Sequence, residues 1–219
     1  ANLRVEGGEH DGPINLQMSS DHWRVINNDI SAPSAPDSSR SGGIAGGGTY
    51  AVLYGNGIHH IAGNGQENHG IYMDNGHDMN IAYNAVGPVT GGNGIQLYNT
   101  TGKQTYNIAI HHNTFHDVAK HGINIGDDTS YGIIIYNNIV YNTRYGGIRN
   151  NSTGLHGMKV YNNTFFNTVT SKNELYGVIT NDARMPVDAL DVRNNIMYPS
   201  RGTYYVSGTV GVWPGHGTI

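Results

Sequence analysis

The stretch Ile108-Ala109-Ile110-His111-His112-Asn113-Thr114-Phe115 reads apolar, x, apolar, x, x, Asn, x, apolar, and this template recurs along the chain. Working outward, it fits Ile133 to Val140 with Asn138 in the Asn slot, Met158 to Phe165 with Asn163, and Leu190 to Met197 with Asn195. Toward the N-terminus it fits Met79 to Val86 with Asn84, Ala51 to Ile58 with Asn56, and Trp23 to Ile30 with Asn28. Seven asparagines thus share one register, at successive spacings of 28, 28, 29, 25, 25 and 32 residues. An internal repeat of this period is the signature of a stacked architecture, in which each unit buries its apolar face only against its neighbours.

A second motif alternates with the first. Gly-Ile-x-apolar stands at Gly70-Ile71-Tyr72-Met73, Gly94-Ile95-Gln96-Leu97 and Gly122-Ile123-Asn124-Ile125. Weaker copies are Gly147-Ile148-Arg149-Asn150 and Gly177-Val178-Ile179-Thr180, and Ile14-Asn15-Leu16 and Gly43-Ile44-Ala45-Gly46 complete the series. Both motifs have the period of two that strands show, with no helical face between them, which argues against strand–helix repeats. Each turn therefore reads as a short strand, a second short strand, an Asn bend, a very short third strand and a variable loop. The fold class this predicts is all-β: a right-handed parallel β-helix, a solenoid of about seven rungs with an internal Asn ladder. The competing reading is an irregular β-sandwich rich in Gly and Asn. A single domain spans 1–219, with regular rungs over 14–198 and a degenerate rung or cap over 199–219.

Composition agrees. Glycine numbers 32, charged residues make up only 13%, and tyrosine (15) far outnumbers phenylalanine (3). Gly and Asn tolerate left-handed backbone, so their abundance marks many sharp bends. A net charge of −4 supplies no basic patch, which argues against nucleic acid as a partner. Hydrophobic residues are scattered, and no run has the length of a membrane span. The absence of cysteine excludes disulfides and thiolate metal sites. A chain starting at Ala1 without a signal sequence reads as a mature, processed form or as an excised piece.

In strand order and in the Asn bend after the second strand, the repeat resembles that of the pectate lyase-like superfamily, over residues 14–198. The resemblance implies a secreted, extracellular or cell-surface protein acting on polysaccharide along the outer face of the first sheet. The expected outward columns of that sheet are Tyr72, Gln96, Asn124, Arg149, Ile179 and Asp74, Tyr98, Gly126, Asn151, Asn181. Rungs ~4.8 Å apart are spaced close to one sugar unit. Tyr72 and Tyr98 offer rings for stacking, and Gln96, Asn124 and His69 offer hydrogen bonds to substrate. Gln96 and Asn124 read equally well as a polar ladder.

The family's hydrolases carry an Asp-Asp pair, a following Gly-His-Gly and a later Arg-x-Lys. Here Lys120-His121-Gly122 precedes Asp127-Asp128, and no Arg-x-Lys follows. That departure favours lyase chemistry, β-elimination on a uronate-containing glycan, over glycoside hydrolysis. By the same resemblance, Arg149, Lys120 and His121 are the candidate catalytic residues. Asp74, Asp127 and Asp128 are candidate ligands for Ca²⁺, which wants six to eight oxygens. The histidine pairs His59-His60 and His111-His112 point to opposite faces of a strand and make no shared metal site. A second candidate binding surface is the outward column Ile26, Tyr54, Ala82, His111, Tyr136, Tyr161, Arg193 of the second sheet. The alternatives to an enzyme are a carbohydrate-binding or adhesive β-helix and a filament former that stacks end to end. Further domains in a longer protein would also cover the ends, because solenoid termini expose apolar interior and strand edges.

Overall fold

The structure, a computed structural model, describes residues 3–7, 13–16, 21–33, 42–63, 68–99, 103–171, 177–181, 190–200 and 205–208, with the side chains of 127, 128, 153 and 155 outside the description. Every paired strand is parallel, and the chain coils into a right-handed solenoid of three sheets. The first sheet holds β2 (Ile14–Leu16), β5 (Ile44–Gly46), β8 (Ile71–Asp74), β11 (Ile95–Tyr98), the leading half of β14 (His121–Tyr136), β16 (Gly146–His156), β19 (Ile179–Asn181) and β22 (Val206–Gly208). The second holds β3 (Arg24–Ile26), β6 (Val52–Tyr54), β9 (His77–Ala82), β12 (Thr105–His111), the trailing half of β14, β17 (Met158–Tyr161) and β20 (Leu190–Arg193). The third holds β1 (Arg4–Glu6), β4 (Asp29–Ala32), β7 (Gly57–Ile61), β10 (Ala85–Val86), β13 (Thr114–Val118), β15 (Ile139–Thr143), β18 (Thr164–Thr168) and β21 (Ile196–Pro199). β14 runs unbroken across two faces and joins the first and second sheets into one pairing path.

Alternation sends one side chain in two to the interior. Ile44, Ile71, Ile95, Ile123, Ile148 and Ile179 form one fully buried column. Leu53, Ile81, Ile110, Ile135 and Val160 form another, and Ile30, Ile58, Val86, Phe115, Val140 and Phe165 a third. Each buried aliphatic side chain contributes about 1.5–3 kcal/mol, so these columns are the main source of stability. The glycine of the Gly-Ile motif exists to admit the third column. A Cβ on Gly70 would sit 2.3 Å from Val86, on Gly94 2.8 Å from Phe115, on Gly122 2.5 Å from Val140, and on Gly147 2.4 Å from Phe165.

The ladder asparagines occupy the bend between the second and third sheets. From Asn28 to Asn163, each donates its backbone N–H and one side-chain N–H to the Oδ1 of the next, at 2.9–3.0 Å. The other amide hydrogen returns to a carbonyl of the preceding turn: Asn56 to Val25, Asn84 to Leu53, Asn113 to Ile81, Asn138 to Ile110, Asn163 to Ile135. The residue before each ladder Asn is left-handed: Asn27, Gly55, Tyr83, His112, Asn137, Asn162 and Asn194 all have φ between 54° and 68°. His112 is therefore a bend residue rather than a ligand. A second left-handed series, His22, Tyr50, Asp78, Asn107, Gly132 and Gly157, marks the corner between the first and second sheets.

One register differs from expectation. Arg149 pairs with Thr180 rather than Ile179, and Ile148 pairs with the buried Ile179. Val178, not Gly177, fills the glycine slot of that turn, hydrogen-bonding through its carbonyl to Gly147 and Ile148. The third-sheet residue facing that rung is Met197, which is only partly buried.

Replacing Asn138 by Ala would leave the backbone and side-chain N–H groups of Asn113 without their acceptor and the Ile110 carbonyl without this donor in a buried bend, while the backbone N–H at 138 would still reach Asn163 Oδ1. The expected cost is about 3 kcal/mol, since each unsatisfied buried group costs roughly 1–3 kcal/mol. Urea denaturation measures it, and a midpoint equal to the parent's would contradict the ladder.

Candidate functional site

The outer face of the first sheet is lined by one column of Ala45, Tyr72, Gln96, Asn124, Arg149 and Thr180. A second carries Asp74 beside Tyr98, then Gly126 beside Asn151. At the start of these strands, His69, Asn93 and His121 succeed one another from turn to turn. The carbonyl of Asn93 accepts from Gly70, and that of His121 from Gly94.

These three positions are buried rather than open. A Cβ on Gly92 would lie 2.8 Å from His69 Nδ1, and one on Gly146 would lie 3.3 Å from His121 Nδ1, so each imidazole lies against a glycine of the next turn. His69 and His121 are 4% and 2% exposed. The backbone N–H of Asn93 donates to His69 Nδ1 (3.0 Å), which leaves the proton of the neutral ring on Nε2. Asn93 also accepts the His121 N–H on its Oδ1 (3.0 Å) and donates to Gln96 Oε1 (2.9 Å). The same Gln96 oxygen accepts from Asn124 (2.7 Å).

Burial, and the charge of Lys120, bring the pKa of His69 down to about 3. For His121 burial comes first, with Arg149 and Lys120 adding to it, again to about 3. The three candidate catalytic residues thus lie on adjacent turns, and the charges of Arg149 and Lys120 both disfavour protonation of His121. Gln96 and Asn124 lie almost wholly beneath the surface, with Asn124 donating to Gln96 Oε1 and Gln96 Nε2 donating to the Leu97 carbonyl, so the polar-ladder reading of that pair is the one their contacts favour. Tyr72 and Tyr98 are half-buried and lie against each other at 6.2 Å and 27°, with His69 stacked on Tyr72 at 5.7 Å and 16°.

The calcium set is thin. Asp74 is 7% exposed, while the side chains of Asp127 and Asp128 lie outside the described residues. Among the described residues no three His, Asp or Glu side chains converge as a metal site, so one described carboxylate does not make a calcium cradle.

Elsewhere, the second-sheet column is confirmed in register, but its rings cover one another. His111 stacks on Tyr136 at 4.7 Å, Tyr136 on Tyr161 at 5.2 Å, and the Arg193 guanidinium lies 5.9 Å from the Tyr161 ring. At the corner of the first and second sheets, His77, Tyr106 and Tyr131 stack within 6° of parallel. Rings in consecutive rungs present their faces along the axis and their edges to solvent. Such stripes brace the surface and give a sugar little face to stack on.

Sequence reasoning missed Asn93, Gly92 and Gly146. The signal was available for Asn93, which stands immediately before a motif glycine as His69 and His121 do.

Comparison with known proteins came out as follows. The profile of the family described as right-handed beta helix region matches residues 4–165. No curated protein matches the sequence. The crystal structure of DFA-IIIase from Arthrobacter chlorophenolicus A6 without its lid superposes with a TM-score of 0.67 at 15% identity, over 92% of this chain and 48% of that one. The Agl-KA catalytic domain gives 0.53 at 12% identity, over 90% and 41%. The Dettilon tailspike protein gives 0.47 at 13%, over 95% and 54%. The chain thus spans about half the length of the solved structures it matches.

The two buried histidines set a pH dependence. Each holds a proton at about 6.5 when unfolded but only at about 3 when folded. The stability carried by their neutral burial is complete above pH 6.5 and drains away as pH falls toward 3, at about 1.4 kcal/mol per pH unit and histidine. Urea midpoints across this window should fall steeply, and His121→Gln should flatten the slope by about half.

Proposed function

Because this chain belongs to the right-handed β-helix family, we propose that it is a secreted, polysaccharide-active lyase cleaving a uronate-containing glycan on the outer face of the first sheet. The observation that carries the reading is the convergence of Lys120, His121 and Arg149 from two successive turns, His121 pairing with Gly146 and Asn124 with Arg149. Two fixed cations beside a neutral, desolvated imidazole suit a carboxylate-bearing substrate. Two structurally similar proteins, DFA-IIIase and the Agl-KA catalytic domain, bear the names of an enzyme and a catalytic domain, which supports catalysis on this fold. Fold likeness alone does not carry an activity, so the site residues bear the argument.

The chemistry follows from charge. Arginine stays protonated in proteins, so Arg149 neutralises the uronate carboxylate and stabilises the enolate that forms when C5 loses its proton. That proton passes to the neutral imidazole of His121, the one member of the three that carries no charge. The C5–H electrons become the C4=C5 double bond, the C4–O bond breaks, and the leaving oxygen takes a proton from solvent water, the base later returning its own to solvent. The backbone hydrogen bonds around Asn93 hold His69 and His121 on one rigid frame. Asp74 with Asp127 and Asp128 would supply oxygens to a Ca²⁺ ion, and no step above depends on one.

Incubation with pectate, alginate and related uronates, followed by absorbance of the unsaturated product, tests the reading. Arg149→Ala should abolish turnover, and Arg149→Lys should retain a fraction of it. Full activity in Arg149→Ala removes this residue from the mechanism. Loss of activity on chelation with recovery on adding Ca²⁺ would assign the acidic cluster a role. Unchanged turnover would leave charge neutralisation to Arg149 and Lys120.

A further inference from the structure

The outer face of the third sheet changes character along its length. Its outward columns begin with Arg4 and Glu6 and then Asp29 and Ser31. Over the last three strands one column reads Ile139, Thr164, Ile196 and the other Tyr141, Phe166, Tyr198. Ile139, Phe166, Ile196 and Tyr198 are between 48% and 67% exposed, while the inward Val140 and Phe165 beside them are fully buried. Single exposed apolar residues are ordinary on a protein surface, but a contiguous group is not. Aromatic side chains exposed to this degree contribute ~100 Å² each, which carries the patch into the range of a few hundred Å² that marks interaction sites.

The two columns also differ in height. His116 stands beside Thr114, Tyr141 beside Ile139, Phe166 beside Thr164 and Tyr198 beside Ile196. His116 stacks on Tyr141 at 5.4 Å and 12°, and Phe166 on Tyr198 at 5.7 Å and 15°. A ridge of ring edges therefore runs parallel to the solenoid axis, next to a lower row of threonine and isoleucine. Such a face complements itself. A second copy turned about a two-fold axis parallel to the solenoid, midway between the columns, lays each ridge on the other's lower row. The same operation sets Arg4 of each copy against Glu6 of the other, and these side chains are 73% and 55% exposed. A two-fold along the strand direction would instead bring Arg4 onto Ile196 and Glu6 onto Tyr198, charge against apolar surface.

We propose that this face is a dimerisation surface, on which a second copy of the chain packs side by side with its solenoid axis parallel to the first. The area suffices. Eight strands make a face ~35–40 Å long at ~4.8 Å per strand, and strands of up to five residues make it ~16 Å wide. That is ~600 Å² of flat area, and more once the ridge is counted, close to the ~800 Å² per partner of a stable complex. The contact is isologous, so assembly closes at two. It lies on a different sheet from Lys120, His121 and Arg149 and does not rest on the lyase reading.

Sedimentation velocity from micromolar to submillimolar protein tests the proposal, and it should show a monomer–dimer equilibrium that stops at two. Phe166→Glu, at an exposed position, should weaken the dimer at least tenfold while the melting temperature stays within a few degrees of the parent. Arg149→Ala should dimerise as the parent does. The chain has no cysteine, so an introduced thiol reports the geometry. Ile196→Cys should be joined to itself by a short bismaleimide, because parallel axes bring both copies of this position to the same level. Crosslinking only when Ile196→Cys is mixed with Arg4→Cys would show the opposite arrangement and overturn the two-fold. A monomer at every concentration, growth beyond two subunits, or an unweakened dimer in Phe166→Glu would each overturn the proposal. So would a monomer whose Phe166 and Tyr198 rings transfer saturation to an added oligosaccharide, which would give the face to a glycan.

Discussion

A single amide at the bend between the second and third sheets holds the structure in register. Its oxygen accepts two N–H groups from the preceding turn's asparagine, while its own nitrogen donates one hydrogen forward and one back. No hydroxyl could do this, because the site needs one acceptor and two donors fixed in a plane. The apolar columns contribute more free energy, but burial is non-directional, whereas a slip of one residue would turn every inward side chain outward. The left-handed residue before each Asn and the paired amides make that slip costly at every turn. The outer columns, and hence the site, inherit their order from this bend.

The outer face shows what order permits. Polar side chains on an exposed sheet normally face water, yet here Gln96, Asn124, His69 and His121 are covered. The next turn can lie so close because a glycine stands against each imidazole, Gly92 at His69 and Gly146 at His121. Burial then removes the proton from both imidazoles and leaves the positive charge of the region on Lys120 and Arg149. Neutral rings beside fixed cations form a pre-organised environment for an anion, held by hydrogen bonds to main chain rather than by mobile side chains.

Much of this was legible in the sequence. Seven asparagines in one register gave the turns, and the Gly-Ile motif gave the first sheet and most of its columns. The register failed at Val178, where a glycine one residue earlier imitated the motif. The residue that faces this rung from the third sheet, Met197, is only partly buried, which no reading along one strand reveals. That Lys120, His121 and Arg149 fall on adjacent turns was visible because rung spacing and column position follow from the repeat. The burial of the histidines was not, because it depends on glycines of the next turn, Gly92 and Gly146, that lie outside the Gly-Ile motif. Asn93 escaped notice because asparagine is so common here that one more raised no signal.

The turns differ in length, from 25 to 32 residues between ladder positions, while the ladder contacts stay at 2.9–3.0 Å. Each turn touches only its two neighbours, so the coil is mechanically a stack of nearly independent hoops. Drawn out from one end by a steady force, it gives up its contour one hoop at a time. Each release frees one loop's worth of chain, roughly 80–115 Å at ~3.3–3.6 Å per residue. The resistance at each step comes from shearing one paired set of short strands and one asparagine, and it varies far less than the length released. A thread that pays out in uneven lengths against an even resistance is a protein whose loops can grow or shrink without changing the strength of the tube.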